Sequence, residues 1–203
     1  MSVDWRDEFD SLGARDVTVL RLIGEEELAG FTFDGLKRRL SVHPETLSRI
    51  LGRLEERGFL EKGVEGYRVT QRTRQRLTSR PQVAAEPNLP LVQTLLSPDI
   101  PVQEVASDLM GRWFGTLRWL GYSETGDKMT LKWVTEDGGA QINAVFSGNS
   151  LVIEAKLLRE KNLENALRAS YQLMGHVSKI YSRVGRIRRV AYFPGVNPFF
   201  TSG

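Results

Sequence analysis

At 203 residues, with 40% hydrophobic and 26% charged side chains, the chain suits one large or two small folded domains and is too apolar to be disordered. It contains no cysteine, which excludes disulfides, thiolate metal sites and cysteine nucleophiles. No apolar run approaches the roughly 20 residues that cross a bilayer, and the opening MSVDWRDEFD is too acidic for a secretory signal, so a cytoplasmic location is expected.

The net charge of +3 hides a segregation along the chain. Residues 1–36 carry three basic side chains against nine acidic ones, whereas residues 37–80 carry twelve basic against five acidic. Such a switch makes a local positive field that the net value conceals. A second basic cluster, Lys179, Arg183, Arg186, Arg188 and Arg189, contains no acid. It reads either as a second binding surface or as ordinary solvated charge.

Three short helices are expected first. Residues 14–28 place Val17, Leu20 and Ile23 at core spacing, and residues 33–40 place Phe33, Leu36 and Leu40 on one side. The third follows His43, with Pro44 suited to a first helical position and Leu47, Ile50, Leu51 and Leu54 forming one apolar stripe. Gly58 stops it, as a residue tolerant of positive φ commonly does. Phe59 and Leu60 then begin a strand, residues 63–66 turn, and residues 67–69 return as a second strand, giving a short glycine-bounded hairpin. Residues 70–77 read as a further helix or an extended tail. The stretch 78–90, with three prolines and no aromatic residue, reads as a linker between a domain at 1–77 and another at 91–203.

Beyond the linker, Val105, Leu109, Trp113, Phe114, Leu117 and Leu120 suggest an amphipathic helix ending at Gly121. Three alternating segments follow, around residues 129–133, 140–146 and 151–157, with Asp137-Gly138-Gly139 and Ser147-Gly148-Asn149 as hairpin turns. A helix over about 162–184 closes the unit. The expected fold class is α+β, with an N-terminal three-helix and hairpin domain and a C-terminal α-β-β-β-α domain built on an antiparallel three-stranded sheet. On the last helix, Leu163, Leu167, Ser170, Met174, Val177, Tyr181 and Val184 alternate by fours and threes. This spacing allows a homodimer interface through Leu163, Leu167, Met174, Val177 and Tyr181, or a cover for the sheet, and the two readings can combine. Trp113, Trp119, Trp133 and Tyr122 could line an effector pocket or pack a core. The basic and aromatic tail could pass over DNA, dock on a partner, or add a strand over 187–193.

The run FTFDGLKRRLSVHPETLSRILGRLEERGFLEK, residues 31–62, resembles winged helix-turn-helix regulators of the MarR and ArsR type. The likeness lies in the capped Leu-rich helix followed by Leu-Glu-x-x-Gly-Phe-Leu, and it covers about a third of the chain. It implies a winged helix over residues 14–77 that binds double-stranded DNA as a dimeric transcription regulator. The charge switch agrees. Opposite the apolar stripe, Thr46, Ser48 and Arg49 are placed to meet base edges in a major groove ~12 Å wide. Arg53 lies a turn further on, suited to phosphate, as do Lys37, Arg38 and Arg39 on the second helix, Lys62 and Arg68 on the wing, and Arg72 and Arg74 beyond it. Two other readings stay open: a chromatin-like protein coating DNA with little sequence preference, and a winged helix that docks on another protein.

No enzyme is expected, since phosphate-binding glycine motifs and the G-x-S-x-G elbow are missing from the sequence. No cofactor or metal is implied either, because His43 and His176 are the only histidines and lie in different domains.

Overall fold

The computed structural model describes residues 12–78, 88–158 and 163–191, with side chains of the last segment described as far as Arg183. Most of the expected linker (79–87), the N-terminal residues 1–11 and the tail 192–203 lie outside the described residues.

The N-terminal part follows the expected order closely. Helix α1 (Ala14–Glu25) leads through the two-residue strand β1 (Gly30–Phe31) to α2 (Phe33–Leu40). Thr32 caps α2 by accepting a hydrogen bond from the Gly35 amide at 3.2 Å, satisfying one donor of its first turn. Helix α3 (Pro44–Glu56) starts on its proline and buries Leu47, Ile50, Leu51 and Leu54. The hairpin expected as a wing is β2 (Leu60–Gly63) paired with β3 (Gly66–Val69), and α4 (Gln71–Thr78) follows. Helices α1 to α3 close with Phe31, Phe59, Leu60 and Val69 over one apolar core.

The C-terminal part departs from expectation. It contributes not three strands but five: β4 (Leu89–Leu95), β5 (Leu117–Thr125), β6 (Lys128–Thr135), β7 (Ala140–Ser147) and β8 (Ser150–Leu157). These join β1 to β3 in a single eight-stranded antiparallel sheet of order β2-β3-β1-β5-β6-β7-β8-β4. The helix expected over 105–120 is only α5 (Val102–Leu109), and Leu117 and Leu120 belong to β5. The misreading has a physical cause. A β-bulge between Trp119 and Gly121 inserts Leu120 as an extra residue, so both Leu117 and Leu120 are buried at a spacing of three, which mimics a helix. Strand β4 begins on the last two residues of the expected linker and was not expected, because Pro90 and an uncharged run without alternation carry no strand signature.

Residues in register share a face of the sheet. One row, Glu61–Arg68–Gly30–Tyr122–Leu131–Ala144–Ile153–Val92, crosses all eight strands. Over β5 to β8 this face is apolar and is covered by α5 and by α6 (Leu163–Ala191). The neighbouring row, Lys62–Tyr67–Phe31–Gly121–Lys132–Asn143–Glu154–Pro90, faces the other way, toward helices α1 to α3. The two segments on either side of the expected linker therefore share one sheet.

Helix α6 lies against the sheet through Ala166, Ala169, Leu173, Val177 and Ile180, all buried. Of the expected dimer seam, Val177 is fully enclosed, Met174 and Tyr181 pack on the same core, and the Tyr181 hydroxyl accepts the Ser97 amide at 2.7 Å. These three are taken up within the chain because the sheet's apolar face requires their cover. Leu167 is half-buried, and only Leu163 of the five is exposed. Residues 187–191 are helical, so a strand does not begin at Ile187.

Close approach where α2 and the β2–β3 hairpin meet β1 and β5 depends on glycine. A Cβ on Gly121 would stand 2.1 Å from the Gly30 carbonyl oxygen, and one on Gly35 would stand 2.5 Å from the Leu120 Cα. At Gly66, which has φ of 136°, a Cβ would meet the Phe31 carbonyl at 2.4 Å. Gly52, in the middle of α3, is different, with nothing within 4 Å of an added Cβ. Gly52→Ala is expected to stabilise the protein by about 0.5–1 kcal/mol, a Tm rise of roughly 1–4 °C in a thermal melt.

Candidate nucleic-acid interface

Helix α3 packs inward on α1 and β2, while α2 turns toward β5 and β6. The outer face of α3 is therefore left open. It presents Ser48 and Arg49 exposed and Thr46 half-buried, with Gly52 beside them. Arg49 is held by Glu45 one turn back at 2.7 Å, a solvent-exposed pair worth a few tenths of a kcal/mol that a phosphate can displace.

The other expected contacts divide. Lys62 projects to the sheet face that carries helices α1 to α3 and is exposed, whereas Arg68 lies on the opposite face beside Glu61. Arg72 and Arg74 are exposed on α4 and engaged with neighbours. Lys37 pairs with Asp34 at 2.7 Å.

Three arginines turn away from the role expected of them. Arg53 donates to the buried carboxylate of Asp16 on α1 through Nε at 3.0 Å and Nη2 at 2.5 Å. That bond and the nearby negative charge push the Arg53 guanidinium upward from its ordinary value. Arg53 is thus a staple between α1 and α3. Arg38 points toward the β6–β7 turn and donates to the Glu136 carbonyl at 3.4 Å. Arg39, only 14% exposed, donates to Glu26 at 3.1 Å and to Gln141 at 3.0 Å. The burial of α2 against β5 and β6 determines the orientations of Arg38 and Arg39, and no helical periodicity could have revealed them.

Arg39 leads to a polar centre that sequence reasoning missed. Glu26, at the end of α1, is 3% exposed and accepts hydrogen bonds from Arg39, Lys132 (3.3 Å), Lys156 (2.7 Å) and Gln141 (2.7 Å). Gln141 donates in turn to Asn143 at 3.0 Å. Burial alone would push the Glu26 carboxyl up, but Lys132, Lys156 and Gln141 overcome it and hold the group at about 2. The same burial pushes Lys132 downward. The centre joins α1 and α2 to β6, β7 and β8. In sequence its members occupy the outward positions of an alternating meander, where they look like solvent-facing residues.

Trp119 and Tyr122 line a groove of about 730 Å³ on the sheet face that α5 and α6 leave uncovered beside the wing. Trp133 instead lies in the core, edge-on to Trp119 at 5.2 Å, its indole N–H donating to the Arg112 carbonyl at 2.8 Å. His43 precedes α3 without a side-chain capping bond, and the His176 ring packs 4.6 Å from Phe114. Among the described residues no group of three potential ligands could hold a metal, and no helix is long and apolar enough to cross a membrane. No protein-family model, no curated protein and no solved structure matches the chain.

Proposed function

We propose that the chain binds double-stranded DNA as a homodimeric transcription regulator, with α3 as the reading helix. The observation that carries this is the open outer face of α3, bearing Thr46, Ser48 and Arg49, on a helix-strand-helix-helix-hairpin order. Lys62 on the wing and Arg72 and Arg74 on α4 add exposed positive charge for phosphate. Arg53, Arg38 and Arg39 drop out of the contact set, and Arg68 contributes only where the duplex reaches the far face of the wing. In this reading the two protomers meet through surfaces other than the Val177 stripe.

The test is binding to a random duplex pool at low salt, followed by selection for a preferred site. The double variant Ser48→Ala, Arg49→Ala alters two exposed side chains, so it is expected to keep the native circular dichroism and lose at least about tenfold in affinity. Unchanged affinity would remove α3 as the reading helix. A selected motif supports regulation, while equal affinity for all sequences with a steep salt dependence supports coating.

A further inference from the structure

A recess of about 260 Å³ lies where the start of α2, the wing turn and the segment leading into β5 converge. Thr32, Arg38, Glu65, Trp113 and Arg118 line it, and Trp119 connects it to the larger groove beside the wing. That volume accommodates a molecule of two fused rings.

The charges around it are unequally satisfied. Asp34, at its edge, is neutralised by Lys37 at 2.7 Å. Arg118 pairs with Glu136 at 3.1 Å, donates to the Gly115 carbonyl at 2.7 Å, and lies over the Trp113 ring at 4.9 Å. Glu65 stands exposed on the wing turn. Arg38 differs from all of these. Among the described residues its side chain has no carboxylate partner and one hydrogen bond, the long one to the Glu136 carbonyl, and its Nε is buried with no acceptor. A guanidinium N–H left in this state is unfavourable, because burial removes its water without supplying an acceptor. Arg38 nevertheless lines the recess, so an anion bound there would meet its guanidinium through atoms other than the sealed Nε and supply the charged partner it lacks. Beside it, Trp113 remains 60% exposed although Arg118 covers part of the ring. An indole held open next to an under-satisfied guanidinium offers a stacking surface and an anion partner together.

We propose that this recess binds a planar aromatic molecule carrying an anionic group, the anion on Arg38 and the ring against Trp113. The site stands independently of the duplex-binding reading, because no residue of the α3 face takes part in it.

Isothermal titration calorimetry on the full chain tests it with three kinds of probe. 2-Naphthoate and adenosine monophosphate combine ring and anion, from a carboxylate and a nucleotide source; 2-naphthalenemethanol supplies the ring alone, and acetate and phosphate the anion alone. At least one of the first pair is expected to bind at a single site, at least about tenfold tighter than any single-feature probe. Arg38→Gln and Trp113→Ala are each expected to weaken that binding by about tenfold or more. Trp113 is exposed, so its variant keeps the wild-type unfolding midpoint and serves as the test even where Arg38→Gln is destabilised. The proposal is overturned when neither combined probe binds, when the neutral ring binds equally well, or when Trp113→Ala titrates like the wild type.

Discussion

Glu26→Gln is expected to lower the folding free energy by about 3–5 kcal/mol, measured by urea denaturation at neutral pH. The substitution keeps the shape of the side chain and removes its charge, leaving Lys132, Lys156 and Arg39 facing one another around a neutral amide. Lys132 is itself buried, so it has no solvent to turn to. Adding Lys132→Met to the variant is expected to restore part of the loss, since an uncompensated buried cation costs more than an apolar replacement. The wild type should also show the centre in its acid response. The Glu26 carboxyl sits at about 2 in the folded chain against 4.5 when unpaired, so its contribution is complete above pH 4.5 and drains away as pH falls toward 2. The depth of that loss is roughly 3 kcal/mol. Glu26→Gln should flatten this part of the stability profile, and an unaltered acid limb in the variant would show that another carboxylate governs it.

Gly121→Ala is expected to be at least as disruptive, at more than about 3 kcal/mol. The added methyl would stand 2.1 Å from the Gly30 carbonyl oxygen and 2.8 Å from the Phe31 Cα, both backbone atoms with no rotamer to yield. Strand β1 must then part from β5. Hydrogen exchange reads this locally: the Ala29 amide, which donates to the Tyr122 carbonyl at 2.8 Å, and the Thr32 amide, which donates to Leu120 at 2.9 Å, should lose protection ahead of the rest of the sheet. A stability loss below about 1 kcal/mol with both amides still protected would mean that the junction tolerates separation.

The elements that were legible in the sequence are those whose signals are local. The proline start and apolar stripe of α3, the Gly63–Gly66 turn and the alternation of β6 to β8 depend on near neighbours, and they appear where expected. The elements that were not legible depend on distant partners. β1 is two residues long and exists because β3 and β5 flank it. The bulge at Leu120 disguised β5 as helix, and the uncharged edge strand β4, of which only the first two residues lie in the expected linker, carried no strand signal. For the site, the exposed positions Ser48 and Arg49 followed from helical geometry, whereas the inward turn of Arg39 and the capture of Arg53 by Asp16 depend on residues 13 and 37 positions away. Basic residues look alike in sequence, and only packing separates a staple from a free contact.

The register rows that cross all eight strands have a mechanical consequence. The β2–β3 hairpin is the end of a beam, joined to β5 through the two residues of β1. In the proposed dimer, the gap between the two reading helices would be set by the stiffness of that beam. A target whose half-sites were moved apart by a few base pairs could then be followed only by bending the duplex, which makes strict half-site spacing the natural signature of this architecture.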